Sequence, residues 1–201
     1  MRAAMVNPLL ERAPPKVFAE RGQVIENHEK LDLFPRLTEA VEADLARLSD
    51  ARAADAWRQR PVAFRLAFGF ADTEHGLPAL EGRAEVEIPA VCQRCLEVFE
   101  LSLGRDFRLL FSGPGGRADA SLDYEVWELE EGLVRPLDVL DEALVMALPF
   151  AARHASDTEC GPLASEAPAA SDGGETVRPF ADLRAQMRDG KRRGGRRGKT
   201  R

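Results

Sequence analysis

The sequence predicts an α+β fold in which a curved antiparallel β-sheet is packed by a few helices. Three observations indicate this fold. Between residues 62 and 130, several segments alternate apolar and polar side chains, as half-buried strands do. Near 36–48 and 137–148, apolar residues recur at three- and four-residue steps, as in amphipathic helices. After residue 160 the composition favours Gly, Ala, Pro, Ser and charged residues, which predicts a disordered linker and a basic tail.

The length and composition predict one domain with extensions. The chain has 201 residues, of which 44% are hydrophobic, enough to bury a core. No apolar run approaches the roughly 20 residues of a spanning helix, and the first residues lack the apolar core of a signal peptide. We therefore expect a soluble cytoplasmic protein with no membrane contact. The expected division of the chain is a loose leader at 1–20, an α+β domain at 21–160, a disordered linker at 161–178, a short amphipathic helix at 179–189 and a basic tail at 190–201.

The first part of the domain is predicted to contain a short strand at 21–26 and two helices. The first helix follows from one apolar stripe, formed by Leu33, Leu37, Val41, Leu45 and Leu48. The stripe indicates packing against a core. An Ala-rich segment at 51–59 predicts a second helix that ends before a proline.

The middle of the domain is predicted to form the sheet. Residues 62–70 alternate large apolar side chains with small or charged ones, and 84–88 do the same with Glu85 and Glu87 on an acidic outer face. Residues 99–111 predict one long strand, or two pieces broken near Gly104, and 124–129 predict another strand after a glycine-rich loop. Residues 136–148 predict the strongest helix, with a proline in its first turn and acidic residues near its N-terminal end.

Charge is unevenly distributed along the chain. The segment 184–201 contains nine of the 28 Lys/Arg residues and one of the 34 Asp/Glu residues, so it carries +8 while the remainder carries −14. A basic segment neutralises phosphates with little sequence preference. We therefore expect RNA contact by this segment, and a solubilising extension is the alternative. The expected RNA-binding residues are Arg184, Arg188, Lys191, Arg192, Arg193, Arg196, Arg197, Lys199 and Arg201.

Just before the tail, Phe180, Leu183 and Met187 recur at helical spacing on one side of a short segment. Such apolar anchors fit a helix that docks in a groove of a partner protein. Docking on the chain's own domain is the alternative interpretation.

The three cysteines predict a reduced protein, because an odd number is a poor disulfide framework. Cys92 and Cys95 form a C-x-x-C motif whose two thiolates can bind one tetrahedral metal ion such as zinc. His154 and Cys160 are the candidates for the other two ligands, although their separation is an uncommon zinc spacing. The alternative is that the cysteine pair only shapes a connection between strands. A redox role is disfavoured because an extended segment, not a helix, is predicted after Cys95.

Between the two cysteines, Arg94 is expected to lie in solvent beside Glu97, with a phosphate contact as the alternative. The sequence contains no nucleophile motif, no P-loop and no dinucleotide-binding fingerprint, so we expect a protein that is not an enzyme. An unrecognised nuclease is a remote alternative.

Four features follow one another along the chain: the C-x-x-C-Leu motif after two strands, a helix with acidic residues near its start that ends in Leu148 and Pro149, the following His154 and Cys160, and the late segment 179–183. Their order and spacing resemble the YceD family, the large ribosomal RNA subunit accumulation proteins. The resemblance covers roughly residues 20–190. It implies a non-enzymatic bacterial factor for synthesis, processing or stability of large-subunit ribosomal RNA. The implied partners are ribosomal RNA or a large-subunit assembly intermediate.

Two further expectations complete this interpretation. A basic ribosomal protein is expected to contact the acidic face that contains Glu85 and Glu87. The alternative function is a zinc-stabilised protein-binding adaptor or chaperone without direct RNA contact.

Overall fold

The helices and strands lie within residues 7–46, 55–71, 76–113, 123–129 and 131–165, which are the residues that the computed structural model describes. The strands are β1 (Val24–Lys30), β2 (Pro61–Phe70), β3 (Pro78–Val91), β4 (Val98–Ser112) and β5 (Glu125–Glu128). The α-helices are α1 (Pro15–Glu20), α2 (Pro35–Leu45), α3 (Pro136–Ala147) and the single turn α4 (Pro162–Ser165). Short 3-10 turns occur at Pro8–Leu10, Leu31–Leu33, Asp55–Gln59 and Asp157–Glu159.

The five strands form one sheet in the order β1-β2-β3-β4-β5. The pairs from β1 to β4 are antiparallel, so the predicted α+β class with a mainly antiparallel sheet is confirmed. The pairing of β4 with β5 is parallel, which the sequence pattern did not predict. Antiparallel neighbours need only a short turn, whereas parallel neighbours need a longer connection.

One face of the sheet is covered by helices and contains the core. On β2, the side chains of Val62, Phe64, Leu66 and Phe68 are buried, as the alternation predicts, whereas Phe70 is about half exposed. On β3 and β4 the buried residues pair across the strands, and Gly82 lies opposite Phe107. A Cβ atom at position 82 would collide with the Phe107 ring, so glycine is required there for the ring to fit.

The opposite side of the sheet is called the open face here, and it is defined by Arg65, Glu81, Arg83, Asp106 and Arg108. These side chains belong to three neighbouring strands and are exposed. Glu85 and Glu87 lie on the same face of β3, so the predicted acidic outer face exists, although Arg83 donates a hydrogen bond to Glu85.

The two long helices are joined by a buried carboxylate. The residue before α2, Phe34, makes no side-chain hydrogen bond that would cap the start of the helix. Instead, Asp141 of α3 accepts hydrogen bonds from the backbone amides of Arg36 and Leu37, each at 3.0 Å. Asp141 is 3% exposed. Its two oxygens satisfy amides that a helix start otherwise leaves without partners, so α3 caps α2 through space.

The prediction of a loose leader at 1–20 is wrong for residues 7–20. Leu9 and Phe18 are fully buried, and the Phe18 ring stacks on Phe68 with centroids 4.8 Å apart. Pro8 and Pro15 occupy the first positions of helical turns, where their missing N–H is not needed. The predicted domain start at residue 21 is therefore too late.

Other boundaries are partly different from those predicted. The first strand begins at Val24 instead of residue 21, and β4 is continuous through Gly104. The predicted helix at 51–59 is a 3-10 turn over Asp55–Gln59, and 51–54 lie outside the described residues. Residues 162–165, predicted as linker, form α4. Among the described residues, no helix is long and apolar enough to cross a membrane.

Candidate metal centre

The cysteine pair lies in the tight connection between β3 and β4. Cys92 follows directly after the last residue of β3, and its amide donates to the Glu97 carbonyl at 2.9 Å. The Leu96 amide donates back to the Cys92 carbonyl at 2.8 Å. Leu96 takes φ of 60°, a left-handed conformation that costs a side-chain-bearing residue about 1–2 kcal/mol. Within this connection, the sulfurs of Cys92 and Cys95 lie within 4.8 Å of each other.

The second half of the cluster comes from the chain after α3. Residues that leave α3 run back to the connection, where the Gln93 amide donates to the Ala152 carbonyl at 2.8 Å. The 3-10 turn Asp157–Glu159 then reverses the chain, and the Cys160 amide donates to the Asp157 carbonyl at 3.2 Å. This turn explains how a six-residue separation brings His154 and Cys160 to the same point.

The four predicted metal ligands meet in one cluster, and the ligand atoms of Cys92, Cys95, His154 and Cys160 all lie within 4.8 Å of one another. The sulfurs of Cys92 and Cys160 are 4.0 Å apart. The His154 Nδ1 atom is 3.6 Å from the Cys95 sulfur and 3.6 Å from the Cys160 sulfur. All three cysteines are free thiols.

The three distances of 4.0, 3.6 and 3.6 Å are close to the edges of a zinc tetrahedron. Bond lengths of about 2.3 Å to sulfur and 2.0–2.1 Å to nitrogen place two sulfurs about 3.8 Å apart, and a sulfur and a nitrogen about 3.6 Å apart, around one ion. The side chains of this site therefore fit a four-coordinate ion with three thiolates and one imidazole. A site closed by four protein ligands is typical of structural zinc.

Burial and hydrogen bonding shift the pKa of the Cys92 thiol in opposite directions. Burial raises its pKa, but the backbone amides of Cys95, His154 and Arg94 act on the sulfur and bring the pKa down to about 6. The pKa of Cys160 is raised, by desolvation and then by the neighbouring Cys92 and Cys95 sulfurs. Backbone amides that donate to a sulfur favour its thiolate form, which is the form that binds metals.

Two further residues contribute to this site, and sequence reasoning did not assign them to it. The Phe99 ring packs against the His154 ring with centroids 4.7 Å apart, which holds the imidazole beside the sulfurs. A Cβ atom on Gly161 would collide with the Glu97 carboxylate, so the chain after Cys160 lies directly against the β3–β4 connection. The Phe99 contact had no signal beyond its strand periodicity, because it joins residues far apart in the sequence.

The expectation that Arg94 is a solvated side chain beside Glu97 is wrong. Its guanidinium contacts the carboxylate of Asp157, and its Nη1 atom lies 3.8 Å from the Cys160 sulfur. The Arg94 side chain is 31% exposed. The residue between the first two cysteines thus contacts the second half of the cluster.

The remaining predicted site residues lie outside the described residues, which end at 165. They are the nine basic residues Arg184, Arg188, Lys191, Arg192, Arg193, Arg196, Arg197, Lys199 and Arg201, and the apolar residues Phe180, Leu183 and Met187.

Comparison with known proteins identifies a family for the region that contains the cysteine cluster. The family model of the large ribosomal RNA subunit accumulation protein YceD matches residues 80–185, which is just over half of the chain. No curated protein and no solved structure matches the chain. The matched region begins in β3 and includes all four residues of the cluster. On this match, the chain belongs to the YceD family of large ribosomal RNA subunit accumulation proteins.

Proposed function

We propose that this protein is a non-enzymatic cytoplasmic factor of large ribosomal subunit biogenesis. It supports the accumulation of large-subunit ribosomal RNA by binding, not by catalysing a reaction. The observation that carries the proposal is the family match over residues 80–185, because the family name implies a role in the accumulation of large-subunit ribosomal RNA. The molecule acted on is accordingly ribosomal RNA or an assembly intermediate of the large subunit.

The RNA contact is assigned to the basic segment 184–201. Its charge of +8 is opposite in sign to the charge of −14 on the rest of the chain. This segment therefore attracts a polyanion, whereas the rest of the chain repels it. Such a segment binds by neutralising phosphates and releasing counterions. The segment contains no aromatic residue, so base stacking does not add sequence preference.

Deletion of residues 190–201 tests this contact. The deletion removes seven of the nine basic residues, and single-stranded RNA contributes about 0.7 to the salt slope per neutralised phosphate. We expect the slope of log affinity against log salt to fall by up to about 5 if all seven basic residues contact phosphates. A variant with every arginine of 190–201 replaced by lysine keeps the charge and should keep the slope. Unchanged RNA affinity of the deletion variant at low salt would remove the tail from the mechanism.

A basic ribosomal protein is the proposed protein partner, and the acidic face of β3 is the proposed contact. Glu85 and Glu87 are exposed there. In-cell crosslinking followed by identification of the attached RNA and protein tests both partners at once. Recovery of large-subunit material supports the proposal. Crosslinks to metabolic enzymes, with no ribosomal material, would contradict it.

The cysteine cluster supports a structural zinc ion as the second part of the proposal. Zinc held by Cys92, Cys95, His154 and Cys160 would join the β3–β4 connection to the chain that follows α3 and thereby stabilise the domain. This observation also favours the second candidate function, a zinc-stabilised protein-binding adaptor or chaperone that does not contact RNA. The tail deletion distinguishes the two functions.

Metal analysis of the purified protein tests the zinc site. We expect about one equivalent of zinc in the wild-type protein and none in Cys95→Ser, because three ligands leave the tetrahedron incomplete. The matched control is His154→Cys, which offers four thiolates and should retain the metal. Absence of zinc from the wild-type protein at neutral pH would end this part of the proposal.

The absence of catalytic activity has its own test. Ribosomal RNA incubated with the protein and a divalent metal ion should remain intact over the period in which a control nuclease degrades it. Cleavage that disappears when the protein is omitted would identify the protein as a nuclease and contradict the binding role.

A further inference from the structure

Arg94 is the residue of the cysteine cluster whose function is still open. It lies between Cys92 and Cys95 in the sequence, yet its side chain reaches Asp157 and Cys160 on the far side of the cluster. One side chain from the C-x-x-C connection therefore contacts a ligand sulfur in the other half of the cluster.

The charge of a filled site explains why a cation at this position matters. Three thiolates, one neutral imidazole and one divalent zinc ion carry a total charge of −1. Cys92 and Cys95 are 0% and 1% exposed and Cys160 is partly buried, so water solvates that charge poorly at two of the three sulfurs. A guanidinium beside the Cys160 sulfur supplies the opposite charge at short range, and its N–H group donates to the sulfur.

We propose that Arg94 is the charge-compensating and positioning residue of the zinc site. Its guanidinium neutralises the excess negative charge and fastens the Cys160 ligand to the C-x-x-C half. The inference rests on the zinc site proposed above. The Nη1 atom that contacts the Cys160 sulfur also contacts the Asp157 carboxylate, which orients the guanidinium, and the Asp157 side chain is 86% exposed. Lysine keeps the positive charge but lacks the guanidinium group, so it is a partial substitute.

A simple surface ion pair is the competing explanation, and it makes a different prediction. If Arg94 only pairs with Asp157, then Arg94→Ala and Asp157→Ala should have the same small effect, and neither should change the metal. If Arg94 compensates the charge of the site, Arg94→Ala should weaken metal binding much more than Asp157→Ala does, because only the first variant removes the cation.

The test is a zinc competition titration against a chromophoric chelator at fixed pH and ionic strength. Loss of a residue that supports a metal ligand typically weakens affinity about 10- to 100-fold. We expect a loss in this range for Arg94→Ala, with zinc still bound at one equivalent, and partial recovery in Arg94→Lys. Arg153→Ala is the matched control, because Arg153 is an exposed arginine next to a metal ligand. It should bind zinc as the wild type does.

Cobalt(II) substitution supplies a readout that a purely structural role would not change. The guanidinium donates to a ligand sulfur, so its removal should shift the sulfur-to-cobalt charge-transfer band of Arg94→Ala to longer wavelength. The Arg153→Ala spectrum should not shift. If Arg94→Ala does not fold, Arg94→Gln compared with Arg94→Lys separates charge from packing in the same two measurements.

The outcomes separate this inference from the zinc site itself. A wild-type protein that binds no zinc overturns the site, and the role of Arg94 falls with it. A wild-type protein that binds zinc, together with an Arg94→Ala variant of unchanged affinity and unchanged cobalt spectrum, overturns the role of Arg94 alone.

Discussion

The open face of the sheet and the cysteine cluster differ in how their charged or ionisable groups are compensated. On the open face, Arg108 pairs with Glu81 at 2.7 Å and Arg83 lies 3.8 Å from Asp106. The two arginine side chains are 51% and 64% exposed. Water screens such pairs, and each typically contributes about 0–1 kcal/mol. These two arginines each have an exposed acidic partner, and nothing further is required to stabilise the pairs.

The cysteine cluster gathers three thiols, each of which can become negatively charged; Cys92 and Cys95 are buried and Cys160 is partly buried. Thiolates so close together repel each other, and a buried charge without a partner is costly. The sulfurs and the imidazole nitrogen nevertheless all lie within 4.8 Å of one another, close enough to bind one ion. The comparison teaches that buried, like-charged groups held in a metal's geometry indicate a site better than a large number of charged residues does. Three predictions sharpen the comparison, from the largest expected effect to the smallest.

Removal of the metal should have the largest effect on stability. A ligand that binds only the folded state, at 1,000 times its dissociation constant, stabilises that state by about 4 kcal/mol. We therefore expect a chelator to lower the free energy of unfolding of the wild-type protein by about this amount, measured by urea denaturation with and without zinc. Cys95→Ser should show no response to the chelator. Equal denaturation midpoints for the wild type in both conditions would contradict a stabilising metal.

Asp141→Ala should have the second largest effect. This carboxylate is buried like the cysteines, but backbone amides of α2 compensate it instead of a metal. Its loss leaves two helix-start amides without partners, which should lower the free energy of unfolding by about 2 kcal/mol. The control is Asp138→Ala on the same helix, whose exposed pair with Arg135 should contribute less than about 1 kcal/mol. Equal losses in the two variants would show that the cap does not matter.

Arg83→Ala on the open face should have the smallest effect. Its partners Glu85 and Asp106 remain exposed and can be solvated, so the expected change in the free energy of unfolding is below about 1 kcal/mol. Thermal or urea denaturation at low and high salt measures it, and the difference from wild type should shrink at high salt. A loss above about 2 kcal/mol would show that the open face carries structural charge, and the contrast with the cysteine cluster would fail.

The sequence alone determined the elements whose signal lies within a few neighbouring residues. The alternation in β2 and the helical stripe of Leu137, Leu140, Leu144 and Leu148 predicted the buried side chains except at the element ends, because the periods of strands and helices differ. At those ends, Phe70 is about half exposed and Leu148 is only partly buried. The composition predicted the charge division of the chain. The residue types also predicted the four candidate ligands, since Cys92, Cys95, His154 and Cys160 are the kinds of group that bind zinc.

Tertiary structure decided the features that join distant parts of the chain. It placed β5 parallel to β4, packed Leu9 and Phe18 into the core, and supplied the α2 cap from a residue more than 100 positions away. It also folded the chain after α3 back onto the β3–β4 connection, where Arg94 meets Cys160. The physical reason is that periodicity reports only whether a side chain faces the core. The partner that it meets there is set by how whole helices pack on the sheet.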